Sequence, residues 1–198
     1  MPGYSGTKCE TNIDDCLETE CGQNGRCIDG LNTYSCQCDR GFSGAQCGTQ
    51  YVCPTEKKEY ALLDNTCYFF DVKKERTKAQ AQEKCLDSFG SHPGRLFEPK
   101  DLNIIPLVRA EALKLRPRQG QFWWIGVSDT ISEGTFHYDS SGRNITFSAP
   151  WKSGEPNNAN GNENCVQIEL EAAAPVWNDV SCPSKHVWQM FYTICELP

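Results

Sequence analysis

The pattern of apolar and polar positions divides the chain near residue 53. The first fifty residues are rich in turn-forming residues and carry no sustained apolar periodicity, which is typical of a loop-rich module. Beyond residue 53, segments with helical spacing are followed by segments with the alternation or short apolar runs of strands. Helices followed by strands predict an α+β domain after the small module.

Two segments of the larger region are predicted as helices. Thr77 opens a capping box and Gly90 can supply a left-handed stop, which predicts a short helix over residues 77–89. A second apolar periodicity runs over residues 101–115. Pro106 is expected near the start of that helix, because proline is tolerated in a first turn and disrupts a helix interior. Strands are predicted over three later ranges, 122–127, 165–170 and 187–195.

Cysteine content indicates an oxidising environment. The chain has 13 cysteines in 198 residues, and seven of them lie in residues 1–50. Small secreted modules use disulfides where the core is too small to hold the fold. No stretch approaches the roughly 18 to 20 apolar residues of a membrane-spanning helix. We therefore expect an extracellular chain, either secreted or part of the ectodomain of a cell-surface protein.

Charge narrows the possible partners. The net charge is −7, and residues 119–198 carry 3 basic against 9 acidic side chains. Nucleic acid is not an expected partner, because phosphate binding needs a Lys/Arg surface, whereas the acidic last stretch suits a cation. We expect no enzyme activity, since no nucleophile motif accompanies the three histidines. His92, His137 and His186 are instead predicted as loop or surface residues.

Six cysteines in the first region have a specific spacing, and a Gly-Phe-Ser-Gly segment stands just before the last of them. This pattern resembles an epidermal growth factor (EGF) module, a small disulfide-rich β unit, over residues 12–48. Spacing alone leaves the connectivity open. The resemblance implies the pairs Cys16 with Cys27, Cys21 with Cys36, and Cys38 with Cys47. Residues 1–11 repeat the module's ending, so Cys9 resembles the final cysteine of a preceding, truncated module.

The same module is similar to the calcium-binding subclass of its family. The resemblance implies ligands from the side chains of Asn12, Asp15 and Asp29 and from the backbone carbonyls of Ile13, Gly30 and Thr33. Oxygen donors of this kind suit Ca²⁺, although the family usually has a carboxylate at position 12 and Glu or Gln at position 15. An ordinary solvated group of acids is the alternative. Asp29 and Ser43 also match positions that are hydroxylated or O-glycosylated in some of these modules.

Five short motifs mark the larger region: Trp124-Ile125-Gly126, Glu155-Pro156-Asn157, Glu163-Asn164-Cys165, Trp177-Asn178-Asp179 and the closing Cys195. Together they resemble a C-type lectin domain, an α+β fold with two helices, antiparallel sheets and long calcium-binding loops. The domain is expected over residues 49–198, in the long form of the family. The resemblance implies the pairs Cys85 with Cys195, Cys165 with Cys182, and Cys53 with Cys67.

The resemblance assigns a primary calcium and sugar site to five side chains, Glu155, Asn157, Glu163, Asn178 and Asp179. Calcium accepts six to eight oxygens, so a protein that supplies about six leaves room for two sugar hydroxyls. Pro156 is expected in cis, as in the family, with trans as the ordinary alternative. The order acid then amide at positions 155 and 157 is the family's signature for equatorial 3- and 4-hydroxyls, as in mannose, fucose or N-acetylglucosamine.

Two further sites are expected. The lectin resemblance implies an auxiliary calcium site at Asp129, Glu133, Asn158 and Glu163, with Asn158 in place of the family's usual carboxylate. Asn144-Ile145-Thr146 is an N-glycosylation sequon.

We expect calcium-dependent carbohydrate binding in adhesion or recognition, with glycans or glycoproteins as partners. The alternative is a calcium-dependent protein–protein adhesion module of a matrix or cell-surface protein.

Overall fold

The structure is a computed structural model, and it describes residues 3–16, 21–39, 41–90, 92–115, 121–172, 174–182 and 190–197. The chain divides into two compact units, Met1–Val52 and Cys53–Pro198. The domain boundaries given above remain predictions.

The amino-terminal unit consists of three short antiparallel ribbons. Their strands are β1 Tyr4–Ser5, β2 Thr11–Asn12, β3 Gly25–Asp29, β4 Tyr34–Cys38, β5 Phe42–Ser43 and β6 Thr49–Gln50. Three disulfides cross-link the unit, Cys16–Cys27, Cys21–Cys36 and Cys38–Cys47. These are the pairs that the EGF resemblance implies. Cross-links restrict the unfolded chain, which stabilises a unit with so little regular structure.

The carboxy-terminal unit contains eight strands and two α-helices. In chain order they are β7 Tyr60–Leu63, β8 Thr66–Asp71, α1 Lys78–Leu86, β9 Arg95–Leu96, α2 Ile104–Leu115, β10 Gln121–Ser128, β11 His137–Tyr138, β12 Cys165–Glu169, β13 Val176–Val180 and β14 Met190–Glu196. A short 3₁₀ turn spans Ala159–Gly161. The strands predicted over 122–127 and 165–170 correspond to β10 and β12. Residues 187–189 of the third predicted strand lie outside the described residues.

One mixed sheet organises this unit, with the strand order β13-β12-β10-β14-β8-β7. Two short strands lie off this path, since β11 pairs with β10 and β9 pairs with β14. The pairing of β10 with β14 is parallel, and the other pairs are antiparallel. The single parallel pair arises because the chain leaves β10, runs through the loop region and β12–β13, and returns beside β10 in the same direction.

Helix α1 begins as predicted and ends earlier than predicted. Thr77 is its N-cap, and the reciprocal hydrogen bonds with Gln80 complete the capping box. The C-cap is Asp87 rather than a residue next to Gly90, which has a φ of +65° in the following loop. Ser88 ends the helix because its hydroxyl donates to the Lys84 carbonyl at 2.6 Å. In α2, Pro106 occupies the first turn, as predicted.

The core lies between the sheet and the two helices. Trp123, Ile125 and Ile168 are fully buried in it, together with Val108 of α2. Three disulfides join its periphery, Cys53–Cys67, Cys85–Cys195 and Cys165–Cys182, which are the pairs that the lectin resemblance implies. The last of these bonds joins the start of β12 to the segment after β13. It therefore holds together the strand ends that flank the acidic loop.

Candidate metal site

An acidic loop between residues 152 and 164 is anchored at both ends to the sheet. At its start, the backbone N–H of Lys152 donates to the Trp177 carbonyl at 2.9 Å, and Trp151 packs edge-on against the Trp177 ring. At its end, Asn164 accepts a backbone hydrogen bond from Asp129 and leads directly into β12. Because β12 pairs with β13, this arrangement brings the loop beside Asn178 and Asp179.

Asp179 fixes the first half of the loop. This residue is 1% exposed, and its two carboxylate oxygens accept hydrogen bonds from the backbone N–H groups of Asn157 at 3.1 Å and Asn158 at 2.8 Å. The preceding Glu155–Pro156 peptide bond is cis. A buried strand residue thus sets the path of the segment that carries Glu155 and Asn157.

Glu163 and Asn158 close the second half of the loop. The Glu163 carboxylate accepts from the backbone N–H of Ala159 at 2.7 Å, and the Asn158 side-chain oxygen accepts from the backbone N–H of Glu163 at 3.0 Å. Asn158 adopts the left-handed conformation, with a φ of +42°, which asparagine tolerates better than most residues. All five predicted primary ligands therefore belong to one loop and the adjoining strand.

Three buried side-chain oxygens in this region have no hydrogen-bond partner among the described residues. They are Glu155 Oε2, Asn178 Oδ1 and Asp129 Oδ1. A buried acceptor left without a partner costs about 1 to 3 kcal/mol, so such atoms are rare in native structures without a reason. All three belong to predicted calcium ligands. Carboxylate and amide oxygens are the donors that Ca²⁺ prefers, so the residues present fit this ion.

Electrostatics point to the same class of ligand. Burial first, and then the negative charges of Asp179 and Glu163, raise the pKa of the Glu155 carboxyl. Desolvation and the neighbouring Asp129 likewise raise the pKa of Glu133. Each acid is therefore harder to ionise because other acids lie close to it. A bound cation reverses this effect, since it favours the ionised form of every carboxylate around it.

The carboxylate oxygens of the acidic loop do not form a cluster with the short mutual distances of ligands around one ion. Among the described residues, the three acidic or sulfur-bearing side chains whose donor atoms all lie within 4.8 Å of one another are Asp14, Cys16 and Asp29, in the amino-terminal unit. The carboxylate oxygens of Glu163 and Asp179 instead accept hydrogen bonds from backbone N–H groups of the loop. These bonds hold the backbone of the loop in place.

The predicted auxiliary ligands lie around Asp129. This residue is buried, and its Oδ2 atom accepts from the backbone N–H of Gly134 at 2.8 Å, while its Oδ1 atom has no partner. Glu133 is exposed and interacts with both Asp129 and Asn158. Residues 129–134 and the acidic loop are therefore adjacent, and Asn158 of the loop interacts with Glu133.

The predicted ligands of the amino-terminal unit converge as well. Asn12 Nδ2 donates to Asp29 Oδ2 at 2.6 Å and to the Gly30 carbonyl at 3.1 Å. The backbone N–H of Asp15 donates to Asp29 Oδ1 at 2.7 Å, and that of Thr33 donates to Asp15 Oδ2 at 2.7 Å. Hydrogen bonds thus gather the acid and amide groups at one end of the β3–β4 ribbon. Ile13, predicted as a carbonyl ligand, donates its own N–H to the Gly3 carbonyl at 2.9 Å.

The histidine prediction holds for His92, which lies in the loop between α1 and β9, and is wrong for His137, which lies buried in β11. His92 is 6% exposed and His137 is 4% exposed, because strand pairing and loop packing bury both rings. His186 lies outside the described residues. Asn144 of the sequon is exposed.

Trp151, which the sequence motifs do not identify, anchors the acidic loop. Its ring lies 4.6 Å from that of Phe136 and 5.8 Å from that of Trp177, measured between centroids. The available signal was an isolated aromatic residue at the boundary between an apolar segment and an acidic loop. Such a residue is a candidate anchor because aromatic side chains bury large areas.

Family models match both units of the chain. The model described as "Lectin C-type domain" matches residues 74–197, and the model described as "EGF-like domain" matches residues 16–46. Within the described residues, no helix is both long enough and apolar enough to cross a bilayer.

Curated relatives carry lectin or collectin names. The chain is 31% identical to bovine Collectin-11 over 91% of its own length, and 32% identical to human C-type lectin domain family 4 member G over 73%. It is 26% identical to the chicken hepatic lectin over 75%. The matches span 58%, 42% and 62% of these relatives, respectively, so each relative is considerably longer than the part it shares.

Solved structures share the fold. The C-type lectin CEL-I from Cucumaria echinata is 23% identical, with a TM-score of 0.61, over 74% of this chain and 97% of its own. The carbohydrate-recognition domain of cow CD23, solved in the presence of a GlcNAc2Man3 oligosaccharide, is 24% identical, with a TM-score of 0.56, over 74% of this chain and 95% of its own. The helices and sheet described above thus match a known architecture.

Proposed function

Because the chain belongs to the C-type lectin domain family, we propose that its carboxy-terminal unit is a calcium-dependent, mannose-type carbohydrate-binding domain. Glu155, Asn157, Glu163, Asn178 and Asp179 would hold the ion. The observation that carries this proposal is the pair of buried oxygens without hydrogen-bond partners among the described residues, Glu155 Oε2 and Asn178 Oδ1.

The proposed ligand set divides the chemistry between acids and amides. When bound, the ion offers coordination positions to two neighbouring sugar hydroxyls, which otherwise gain little by exchanging water for protein. Glu155 and Glu163 accept the protons of those hydroxyls, and the amide groups of Asn157 and Asn178 donate to their lone pairs. Each hydroxyl is thus held by more than one contact.

The arrangement of acid and amide sets the proposed specificity. With Glu155 before Pro156 and Asn157 after it, the site has the order that the family uses for equatorial 3- and 4-hydroxyls. Mannose and N-acetylglucosamine carry such pairs, and fucose, whose 4-hydroxyl is axial, would offer its equatorial 2- and 3-hydroxyls instead. A single site of this kind is expected to bind one sugar at about millimolar Kd, near −4 kcal/mol, so useful avidity needs repeated copies or clustered glycans.

We further propose two smaller calcium sites. Asp129, Glu133, Asn158 and Glu163 would hold an auxiliary ion, a proposal supported by the unpartnered Asp129 Oδ1 atom. In the amino-terminal unit, Asn12, Asp15 and Asp29 would hold another, with backbone carbonyls of Ile13, Gly30 and Thr33. The convergence of these groups on the Asp29 carboxylate supports that site. The disulfides and both domain types support an extracellular location.

Affinity chromatography tests the main proposal against protein-mediated adhesion. The whole chain is loaded on mannose-agarose in calcium and challenged with free mannose, free galactose and EDTA. Elution by mannose and EDTA but not by galactose is expected. Failure to bind the resin in calcium, or elution that is indifferent to both mannose and EDTA, would favour the alternative of a calcium-dependent protein-binding module.

A further inference from the structure

A cavity of about 610 Å³ opens on the carboxy-terminal unit beside the start of α1. Its walls include Ser128, Thr130 and Ile131 and the Cys165–Cys182 disulfide. None of the described residues that line it is among the five proposed primary calcium ligands. Cavities that bind small organic molecules measure about 300 to 1,000 Å³ and combine apolar walls with a few fixed polar groups. This cavity has both features.

The charged side chains at the cavity, Lys78 and Asp139, already form an ion pair with each other. Lys78 is 4% exposed, and its ammonium group donates to the Val127 carbonyl at 2.7 Å and to Asp139 at 2.8 Å. Asp139 also accepts from the Ser128 hydroxyl at 2.7 Å and from the Gln82 amide at 3.4 Å. A charged ligand would lose its own hydration and find no unmatched opposite charge here. The cavity therefore favours a neutral ligand.

The hydroxyl groups in the wall present oxygen lone pairs. Ser128 donates its only hydroxyl proton to Asp139, so its oxygen can only accept further hydrogen bonds. The Ser128 and Thr130 hydroxyls lie 3.2 Å apart, and both lie within 3.4 Å of His137 Nε2. A neutral His137 that carries its proton on Nδ1 donates to the Thr135 carbonyl at 3.4 Å and accepts from the Thr130 hydroxyl at Nε2. Each hydroxyl oxygen has two lone pairs, so the pair can still accept a hydrogen bond from a ligand.

The wall of the cavity also includes the start of α1 and apolar surface. Lys78 and Ala79 stand in the first turn of α1, where backbone N–H groups have no helical carbonyl partner. Ile131 and the disulfide are apolar, and the Ile131 side chain is 70% exposed. A ligand hydroxyl is a compact neutral group that can donate to the wall oxygens and also accept from the helix start.

From this geometry we infer that the cavity is a second binding site, which takes a neutral organic molecule with an apolar body and a hydroxyl group. It is separate from the proposed sugar site in both residues and chemistry. None of the described lining residues is a proposed calcium ligand, although Thr130 and Ile131 lie next to Asp129 in the chain.

Nuclear magnetic resonance on the isotope-labelled whole chain tests the inference, with cyclohexylmethanol as the probe. Saturable shifts are expected at the backbone amides of Ala79, Ser128 and Thr130. Cyclohexanecarboxylate and cyclohexylmethylamine, which share the apolar body and carry a charge, should bind at least about tenfold more weakly. Absence of saturable shifts, or equal binding of either charged compound, would overturn the inference.

Two variants test whether the probe binds in the cavity. Ile131→Arg places a long charged side chain at the mouth of the cavity and should weaken binding at least about tenfold. Leu62→Arg is the matched control, because Leu62 is also exposed, at 55%, and does not line the cavity. Thermal unfolding verifies that both variants fold. An equal loss in both variants, or displacement of the probe by methyl mannoside, would contradict the assignment. Neither result depends on whether the sugar proposal is correct.

Discussion

Asp179 and Asn158 are joined across the acidic loop by a hydrogen bond of 2.8 Å from the Asn158 backbone to the buried Asp179 carboxylate. The other oxygen of that carboxylate accepts from Asn157. Because β12 pairing fixes Asp179 within β13, the backbone of the loop is positioned by the sheet. The proposed ligands are thus held in place largely by the fold itself.

Replacing Asp179 with asparagine should therefore remove both a charge and a backbone contact. The amide retains one acceptor oxygen, while its NH₂ group opposes an N–H donor of the loop. We expect calcium affinity to fall at least about tenfold, or ~1.4 kcal/mol, as measured by calorimetric titration of metal-free protein. Asp64→Asn, on an exposed side chain, is the control. An unchanged affinity in Asp179→Asn would exclude this residue from the ligand set.

Exchanging the acid and the amide around Pro156 should change the sugar preference. The double variant Glu155→Gln, Asn157→Asp creates the order typical of galactose binders in this family. Competition by free monosaccharides should then shift from mannose toward galactose, while calcium affinity stays within about tenfold. Glu111→Gln, on α2, should leave the preference unchanged. A double variant that still prefers mannose would show that other residues select the sugar.

The Glu155 carboxyl should couple the effect of calcium to pH. Burial and the charge of Asp179 raise its pKa, so the folded metal-free protein binds this proton more tightly than the unfolded chain does. Its stabilising contribution is present below the ordinary carboxyl pKa and is lost as pH rises through the raised value. The metal-free fold is therefore weakened at neutral pH, where calcium should raise Tm most.

Thermal unfolding in calcium and in EDTA, over a series of pH values, measures this effect. The calcium-dependent increase in Tm should shrink as pH falls through the raised pKa of Glu155, since protons then compete with the ion. In Glu155→Gln the Tm of the metal-free form should vary less over the same range. A calcium-dependent increase that grows toward acidic pH would have the opposite sign and would refute the coupling.

The buried ion pair between Lys78 and Asp139 should matter far more for stability than an exposed pair. The Lys78 side chain is only 5% exposed, so Lys78→Met leaves the Asp139 carboxylate without its buried partner. The free energy of unfolding should fall by about 3 to 5 kcal/mol. Lys114→Met breaks an exposed pair with Glu111 and should cost less than about 1 kcal/mol. Denaturant unfolding compares them, and equal costs would be inconsistent with the burial of Lys78.

Asp29 should control calcium binding by the amino-terminal unit. Its carboxylate accepts hydrogen bonds from Asn12 and from the Asp15 backbone, so Asp29→Ala removes both a ligand and the group that gathers the others. Calcium-dependent protection of residues 12–33 from proteolysis should disappear in this variant. Asp39→Ala, outside the cluster, should retain it. Protection that survives in Asp29→Ala would contradict the site.

Local signals explain what the sequence could predict. The capping box at Thr77 and the first-turn position of Pro106 were predictable because both depend on residues within one helical turn. The end of α1 was not predictable, because Gly90 can end the helix only if no earlier residue ends it. Ser88 does so, and its carbonyl is also held by the Tyr60 hydroxyl at 2.6 Å, a contact between residues 28 positions apart.

Long-range packing explains what the sequence could not predict. Lys78 lies at the start of a helix, where a lysine is normally exposed, and only the fold reveals its contact with Val127 across 49 residues. By contrast, the turn between β7 and β8 depends on local residues. Asp64 and Asn65 lie at this turn, and both adopt positive φ. Asp-Asn between two apolar runs is a turn sequence with a physical cause.

Calorimetric titration of methyl mannoside into the whole chain tests the central claim most directly. In saturating calcium, one weak site of about millimolar Kd is expected, and the same titration should give no binding heat in EDTA or with Glu155→Ala. Mannoside binding that persists in EDTA, or that is absent in calcium, would contradict the claim that residues 155–179 bind sugar through a shared calcium ion.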